Sequence, residues 1–294
     1  MRQIHFLLSV VAFATIFISC SKKDTTTPDP LPVSYDFSPV EKVLTDSVPV
    51  AFGGKCYAVI TVNGQTVYSK SYGGYEGNTK QLIASCSKWL SGAVVMKMVD
   101  EGLFKLSDTV GKYLPRFTFY GKGNITISEL FSHTAGFPGN SDQGYENDQS
   151  LTLGQSVDSI AKSVALLNAP GAKFYYGGVG MQVAARVCEV VSGKTFKTLF
   201  NEKIATPCGM INSDFGNGIN TQVAGGVRST PNDYMGFLNM MLNKGMSGNT
   251  RILSEAAITS MEQSQLGSAT VAYSPYPYRC YRQLVFMVLV TGET

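Results

Sequence analysis

Apolar and polar positions alternate most regularly in "KCYAVITVNGQTVYSKSYG", residues 55–73. Two β-rich runs flank Asn63-Gly64, a dipeptide suited to the positive φ angles of a tight turn, so the stretch predicts a β-hairpin. Helical patterns surround it. "SPVEKVLTDSV" predicts a short helix with Ser38 as N-cap and Pro39 at the first helical position. Leu90, Ala93, Val94, Met96 and Val99 predict a helix from Ser85 to Glu101, closed by Gly102. Val179, Val183, Val187 and Val190 make one stripe on a helix that Gly193 ends. "TPNDYMGFLNMMLNKG" predicts another, with Thr230 as N-cap and Gly245 as C-cap. Residues 103–175 read as short helices and Gly-rich loops, without an internal repeat or second linker. Strands gathered early and helices placed after them predict an α+β fold with a separate helical lobe.

The N-terminus has a different pattern. Arg2 precedes the apolar run Phe6 to Ile18, which is shorter than the roughly 20 residues of a membrane-spanning helix. "FISC" ends in Cys20 and is followed by "SKKDTTTPDPLP", which resembles a bacterial lipoprotein signal in which Cys20 becomes the lipid anchor. A plain secretory signal is the alternative. The expected organisation is a signal peptide over 1–19, a solvated tether over 20–34 and one hydrolase domain over 35–294. Export to the periplasmic or cell-surface side, with the membrane as a partner through Cys20, follows from that reading.

Composition narrows the chemistry. The 294 residues are 44% hydrophobic and 15% charged, as in a globular protein with a substantial core. A net charge of +3 with no basic run longer than Lys22-Lys23 gives no footprint for nucleic acid. The 2 histidines, His5 and His133, are too few for a multi-histidine metal site. A Ser-His-Asp triad has only His133 to draw on, and no G-x-S-x-G elbow occurs. No metal and no cofactor is expected. Beyond Cys20, Cys56, Cys86, Cys188, Cys208 and Cys280 are odd in number, so at least one stays unpaired. Cys86 and Cys188 fall in predicted helices as small buried residues.

The candidate chemistry lies in "IASCSKWL", residues 83–90. A serine hydroxyl needs a base to become a nucleophile, and with histidine scarce the base must be Lys, Tyr, Asp or Glu. Ser85 stands three residues before Lys88, which puts both side chains on one helix face. Ser87 and Cys86 stand one and two before it and face elsewhere. S-x-x-K also occurs at 19–22 and 159–162, but the first straddles Cys20 and Ser159 sits mid-helix. Only the run at 85–88 follows strand signals and opens a helix, where backbone N–H groups point outward toward a developing oxyanion. A cysteine enzyme pairing Cys86 with His133 needs a helix facing that this spacing does not provide.

"AVITVNGQTVYSKSYG", "IASCSK", "GLFKLSDTVGKYLP", "ITISELFSHTAGF", "PGAKFYYGGVGMQVAARVCEVVSGK", "PCGM" and "GGVRSTPNDYMGFLNMML" follow in that order. Together they resemble the serine β-lactamase and penicillin-binding protein superfamily, in its class C β-lactamase-like branch of carboxylesterases and D-amino-acid peptidases. The resemblance covers roughly residues 50 to 265. It implies an antiparallel sheet flanked by helices, plus an all-helical lobe, with the active site between them. It also implies Ser85 as acyl-forming nucleophile, Lys88 as its activating partner and Tyr176, in the frame "PGAKFYYGG", as the catalytic tyrosine. A literal Y-x-N at Tyr145-Glu146-Asn147 lacks that frame and reads as a decoy. Tyr175 reads as a packing residue, His133 in "SHTAG" as a residue that positions a loop, and Tyr273, Tyr276 and Tyr278 as cleft or surface aromatics.

Two features depart from the family pattern. Gly178 stands where the second motif has Asn, so this substrate-binding position offers only its backbone. Extra room is expected there, and ester cleavage is favoured over peptide or β-lactam turnover. No K-T-G or H-x-G follows Tyr176, and Val290-Thr291-Gly292 comes nearest. The sequence therefore predicts missing C-terminal strands and a truncated chain. The expected function is an exported serine hydrolase acting on small esters, D-amino-acid peptides or β-lactams. A surface-tethered binding protein without turnover is the alternative.

Overall fold

The structure is a computed structural model that describes residues 34–275. Cys20, Tyr276, Tyr278, Cys280 and Val290-Thr291-Gly292 lie outside the described residues.

Helix α1 (Ser38–Ala51) leads into strands β1 (Cys56–Val62) and β2 (Gln65–Tyr72). Then follow β3 (Gln81–Leu82), a 3-10 turn (Ala84–Cys86) and α2 (Ser87–Asp100). Short helices α3 (Pro115–Phe119) and α4 (Ile127–Phe131) precede α5 (Leu153–Ser163), β4 (Lys173–Tyr175), α6 (Val179–Ser192) and α7 (Phe196–Phe200). The rest is β5 (Arg228–Ser229), α8 (Pro231–Leu242), β6 (Met246–Ser247), β7 (Thr250–Arg251), α9 (Glu255–Glu262) and β8 (Thr270–Tyr273). The α+β class is as expected.

The hairpin forms where the alternation placed it. Val62 pairs with Gln65, and Asn63 and Gly64 take φ values of 50° and 75°. It lies between α1 and α8: Lys70 pairs with Glu41 at 3.1 Å, and the Thr61 hydroxyl donates to Asn239 Oδ1 at 3.3 Å.

Several boundaries are corrected. Ser38 is the first helical residue instead of the cap, and its N–H donates to Asp36 Oδ1 at 2.9 Å. The helix expected from Ser85 starts as the 3-10 turn, because Ala84 stands at φ 46° and blocks a continuous α-helical entry. Gly193 ends α6 in the left-handed conformation as expected, but the valine stripe breaks at its end. Val179, Val183 and Val187 are fully buried, whereas Val190 is 44% exposed and its neighbour Val191 packs against the core in its place. Helix α8 closes at Asn243, two residues before Gly245.

The expected single antiparallel sheet is four separate strand pairs among the described residues. Three are antiparallel, and β4 pairs with β8 in parallel. The core is helical instead. Helix α2 packs on α6, α7 and α9, burying Leu90, Val94, Met98, Val183, Val187 and Leu199. Burying an aliphatic side chain contributes about 1.5–3 kcal/mol, so this body is the platform on which the cleft is held.

Candidate active site

One wall of the cleft is the start of α2. Ala84 holds a left-handed backbone, a sparsely populated state for a residue with a side chain, and the Ile83 N–H fixes the turn by donating to the Val227 carbonyl at 3.0 Å. Ser85 is exposed at the cleft mouth, while Lys88 is only 5% exposed. Lys88 Nζ donates to Ser85 Oγ at 3.2 Å and to the Ala224 carbonyl at 2.8 Å. It also lies 4.8 Å from the centre of the Tyr176 ring. Burial disfavours the ammonium and pulls the Lys88 pKa down to about 8, against a smaller opposing effect of Cys86.

The other two candidates of this stretch have different surroundings. Ser87 is fully buried, and its Oγ accepts the Val227 N–H at 3.0 Å. Burial pushes the Cys86 thiol up, the opposite of what a thiolate nucleophile requires. Ser91 Oγ donates to the Val223 carbonyl at 2.8 Å. Ser87, Lys88 and Ser91 thus tie the loop 223–227 to α2 and fix the carbonyl that holds Lys88.

The opposite wall comes from two distant stretches. The Gly139 and Gly177 backbones approach so closely that a Cβ on Gly139 would overlap the Tyr176 carbonyl oxygen, and one on Gly177 the Gly139 carbonyl oxygen. Tyr176 follows β4, and its N–H donates to the Tyr273 carbonyl at 3.2 Å. The Tyr175 hydroxyl accepts from Asn168 Nδ2 at 2.9 Å, off the cleft. Behind Tyr176 lies His133, buried at φ 59° with ring centres 5.1 Å apart. Desolvation, with a smaller contribution from the Lys88 charge, pushes its pKa down to about 3, so His133 is neutral at physiological pH.

Gly178 lines the cleft through its backbone. Its N–H already donates to the Gly139 carbonyl at 2.8 Å and to Asn140 Oδ1 at 3.0 Å. Glu146 and Ala224 bound the space beside it: a Cβ built on Gly178 would make ordinary contact, at 3.4 Å, with both Ala224 Cβ and Glu146 Cγ. The Tyr145–Asn147 stretch, set aside as a decoy, contributes Glu146 and Asn147 to the cleft lining. It reaches the site because its loop is anchored: Asn220 Nδ2 donates to the carbonyls of Tyr145 and Asp148, both at 3.0 Å. Asn220 Oδ1 in turn accepts from Gln182, whose own Oε1 accepts the Val223 N–H at 3.0 Å. Sequence reasoning passed over Gln182 and Asn220. The available signal was an amide on the otherwise apolar buried face of α6.

Ser85, Lys88, Tyr176, Glu146, Ala224 and Tyr273 are among the residues around a cleft of about 330 Å³. Its chemical content is an accessible hydroxyl, a desolvated amine within hydrogen-bond reach and a phenol beside that amine. That combination suits nucleophilic attack on a carbonyl. Cys20 lies outside the described residues, among which no helix is long and apolar enough to cross a membrane.

Comparison with known proteins points the same way. The beta-lactamase family model matches residues 55–276. A crystal structure from Bacteroides dorei DSM 17855, assigned to the beta-lactamases, is 33% identical, with a TM-score of 0.76 over 85% of this chain and 78% of that one. The D-alanyl-D-alanine-carboxypeptidase/endopeptidase AmpH of Escherichia coli (strain K12) is 24% identical over 79% of this chain and 69% of its own length. A family VIII carboxylesterase shares the fold at 20% identity, with a TM-score of 0.65 over 79% of this chain and 76% of that one. The chain belongs to the beta-lactamase family of serine hydrolases.

Proposed function

We propose that the protein cleaves small carboxyl esters through an acyl-enzyme on Ser85, with Lys88 and Tyr176 as the acid–base pair. One observation carries this reading: the 3.2 Å approach of Lys88 Nζ to Ser85 Oγ in surroundings that lower the Lys88 pKa toward 8. Once neutral, the amine keeps an N–H for the Ala224 carbonyl and has a lone pair for the serine proton. Ser85 Oγ then bonds to the ester carbonyl carbon, and the carbon–oxygen bond to the leaving alkoxide breaks. That alkoxide takes the proton back from the pair. Water attacks the acyl-serine by the same route and releases the acid. Lys88 Nζ stands 4.8 Å from the centre of the Tyr176 ring, and the base is assigned to the pair and not to one member.

Esters rank ahead of D-amino-acid peptides and β-lactams because Gly178 supplies no side-chain amide and its N–H is already engaged. The hydrolase domain is placed at 35–294, exported and held to a membrane by a lipid on Cys20. That part rests on the N-terminal sequence pattern, and loss of palmitate labelling in Cys20→Ala is the expected result. A second reading is a tethered binding protein without turnover.

The test is covalent labelling of the full chain, in mild detergent, with a fluorophosphonate, followed by mapping of the adduct. A Ser85 adduct that disappears in Ser85→Ala and Lys88→Ala supports the hydrolase reading. A folded wild-type chain that takes no label and hydrolyses no ester favours the binding protein.

A further inference from the structure

Glu146 is a buried acid in the cleft that the ester mechanism does not use. It is 3% exposed, and it lines the same cavity as Ser85 and Lys88. Its Oε1 accepts the Ser141 N–H at 3.1 Å, and its Oε2 pairs with Ser141 Oγ at 2.6 Å. Ser141 Oγ accepts the Tyr145 N–H at 3.0 Å, which directs the serine's own hydrogen toward Glu146. Both Glu146 oxygens act as acceptors from Ser141.

No lysine or arginine among the described residues forms an ion pair with it. Lys88, the cationic side chain of the cleft, donates to Ser85 and Ala224. A carboxylate removed from water without a counter-ion is costly, and two neutral donors leave about half of its acceptor capacity open. A cation arriving with the substrate would complete it.

We infer that Glu146 is a specificity-determining residue that recognises a positively charged amino group on the acyl part of the substrate. The favoured substrates are then aminoacyl esters in place of plain alkanoyl esters. This rests on the ester reading and deepens it. The carboxylate side chain reaches the cleft beside Gly178, where its Cγ lies 3.4 Å from the position a Cβ would take.

The test compares 3-aminopropanoyl and butanoyl p-nitrophenyl esters, which are close in size and differ in charge. The preference is the ratio of their kcat/KM values in the full-length protein and in Glu146→Gln, with thermal melting to establish that each is folded. The wild type is expected to prefer the amino ester, and the ratio to fall about tenfold in Glu146→Gln, the equivalent of about 1.4 kcal/mol. A wild type that hydrolyses both esters with a ratio unchanged in Glu146→Gln overturns this inference alone. A wild type that hydrolyses neither ester overturns the ester reading, and the inference with it.

Discussion

Ser85, Ser87, Lys88 and Ser91 share one short stretch and form their wall through helical spacing, whereas Gly139, Glu146, Tyr176 and Gly178 come from two separate stretches. The first wall is held by side chains on α2 that bond to loop 223–227, including Ser87 to Val227 and Ser91 to Val223. The second is held by backbone meeting backbone, as Gly178 N–H meets the Gly139 carbonyl at 2.8 Å. A wall made by side-chain spacing tolerates change at its edges. A wall made by backbone contact tolerates almost none, because any added atom separates the two chains. Charge divides the walls as well: the amine stands on the local wall and the carboxylate on the assembled one.

The sharpest way to break the comparison is Lys88→Met. Losing a general base costs about 100- to 10,000-fold, so Ser85 labelling and ester hydrolysis are expected to fall within that range. Stability is expected to move the other way. The folded-state pKa of Lys88 is lowered from 10.5 to about 8, so between those values the unfolded chain binds more protons than the folded one. Wild-type stability therefore rises with pH across that window, by on the order of 3 kcal/mol in full. Urea titrations of Lys88→Met at a series of pH values are expected to lose this rise and to give a more stable protein at pH 7. The same lowered pKa places a rising limb of kcat/KM near pH 8 in the wild type.

Gly139→Ala probes the assembled wall. The new methyl overlaps the Tyr176 carbonyl oxygen, so the contact between the 139 and 176 backbones must open. A displacement of about 1 Å at a reacting group costs about 100-fold, and steady-state kinetics on a folded variant would read it directly. A loss below tenfold would mean that the tyrosine side of the cleft is not needed for turnover.

The smallest expected effect on rate belongs to Ser87→Ala. It leaves the buried Val227 N–H without its acceptor, a loss of about 1–3 kcal/mol in denaturant unfolding. Ser85 labelling is expected to change less than tenfold, because Lys88 keeps its bond to the Ala224 carbonyl. A larger change in rate than in stability would move Ser87 from the support of the wall into its chemistry.

Much of this was legible in the sequence where neighbours along the chain are neighbours in space. The Asn63-Gly64 hairpin, the Gly193 helix end and the Ser85–Lys88 spacing depend on a few consecutive residues, and all three are present. Thr230 caps α8 by accepting the Asp233 N–H at 3.1 Å, as expected from its place before Pro231. Legibility weakened at the end of α6: its period predicted Val190 in the core, but Val191 packs there in its place, because the partner surface and not the stripe decides which residue is covered. It failed at Tyr145–Asn147, whose acidic, Gly-rich loop carries no local sign that Asn220 and Gln182 draw it into the cleft.

The sequence by itself determined the α+β class, the family and the pairing of a serine with a lysine one helical turn away, because these follow from spacing, turn chemistry and ordered motifs. Tertiary structure alone decided that Lys88 is desolvated and that Ser87 clamps a loop. It also decided that Glu146 lines the cleft beside Gly178. Burial, counter-ion availability and backbone approach depend on which distant segments pack together, and no local pattern of residues encodes that choice.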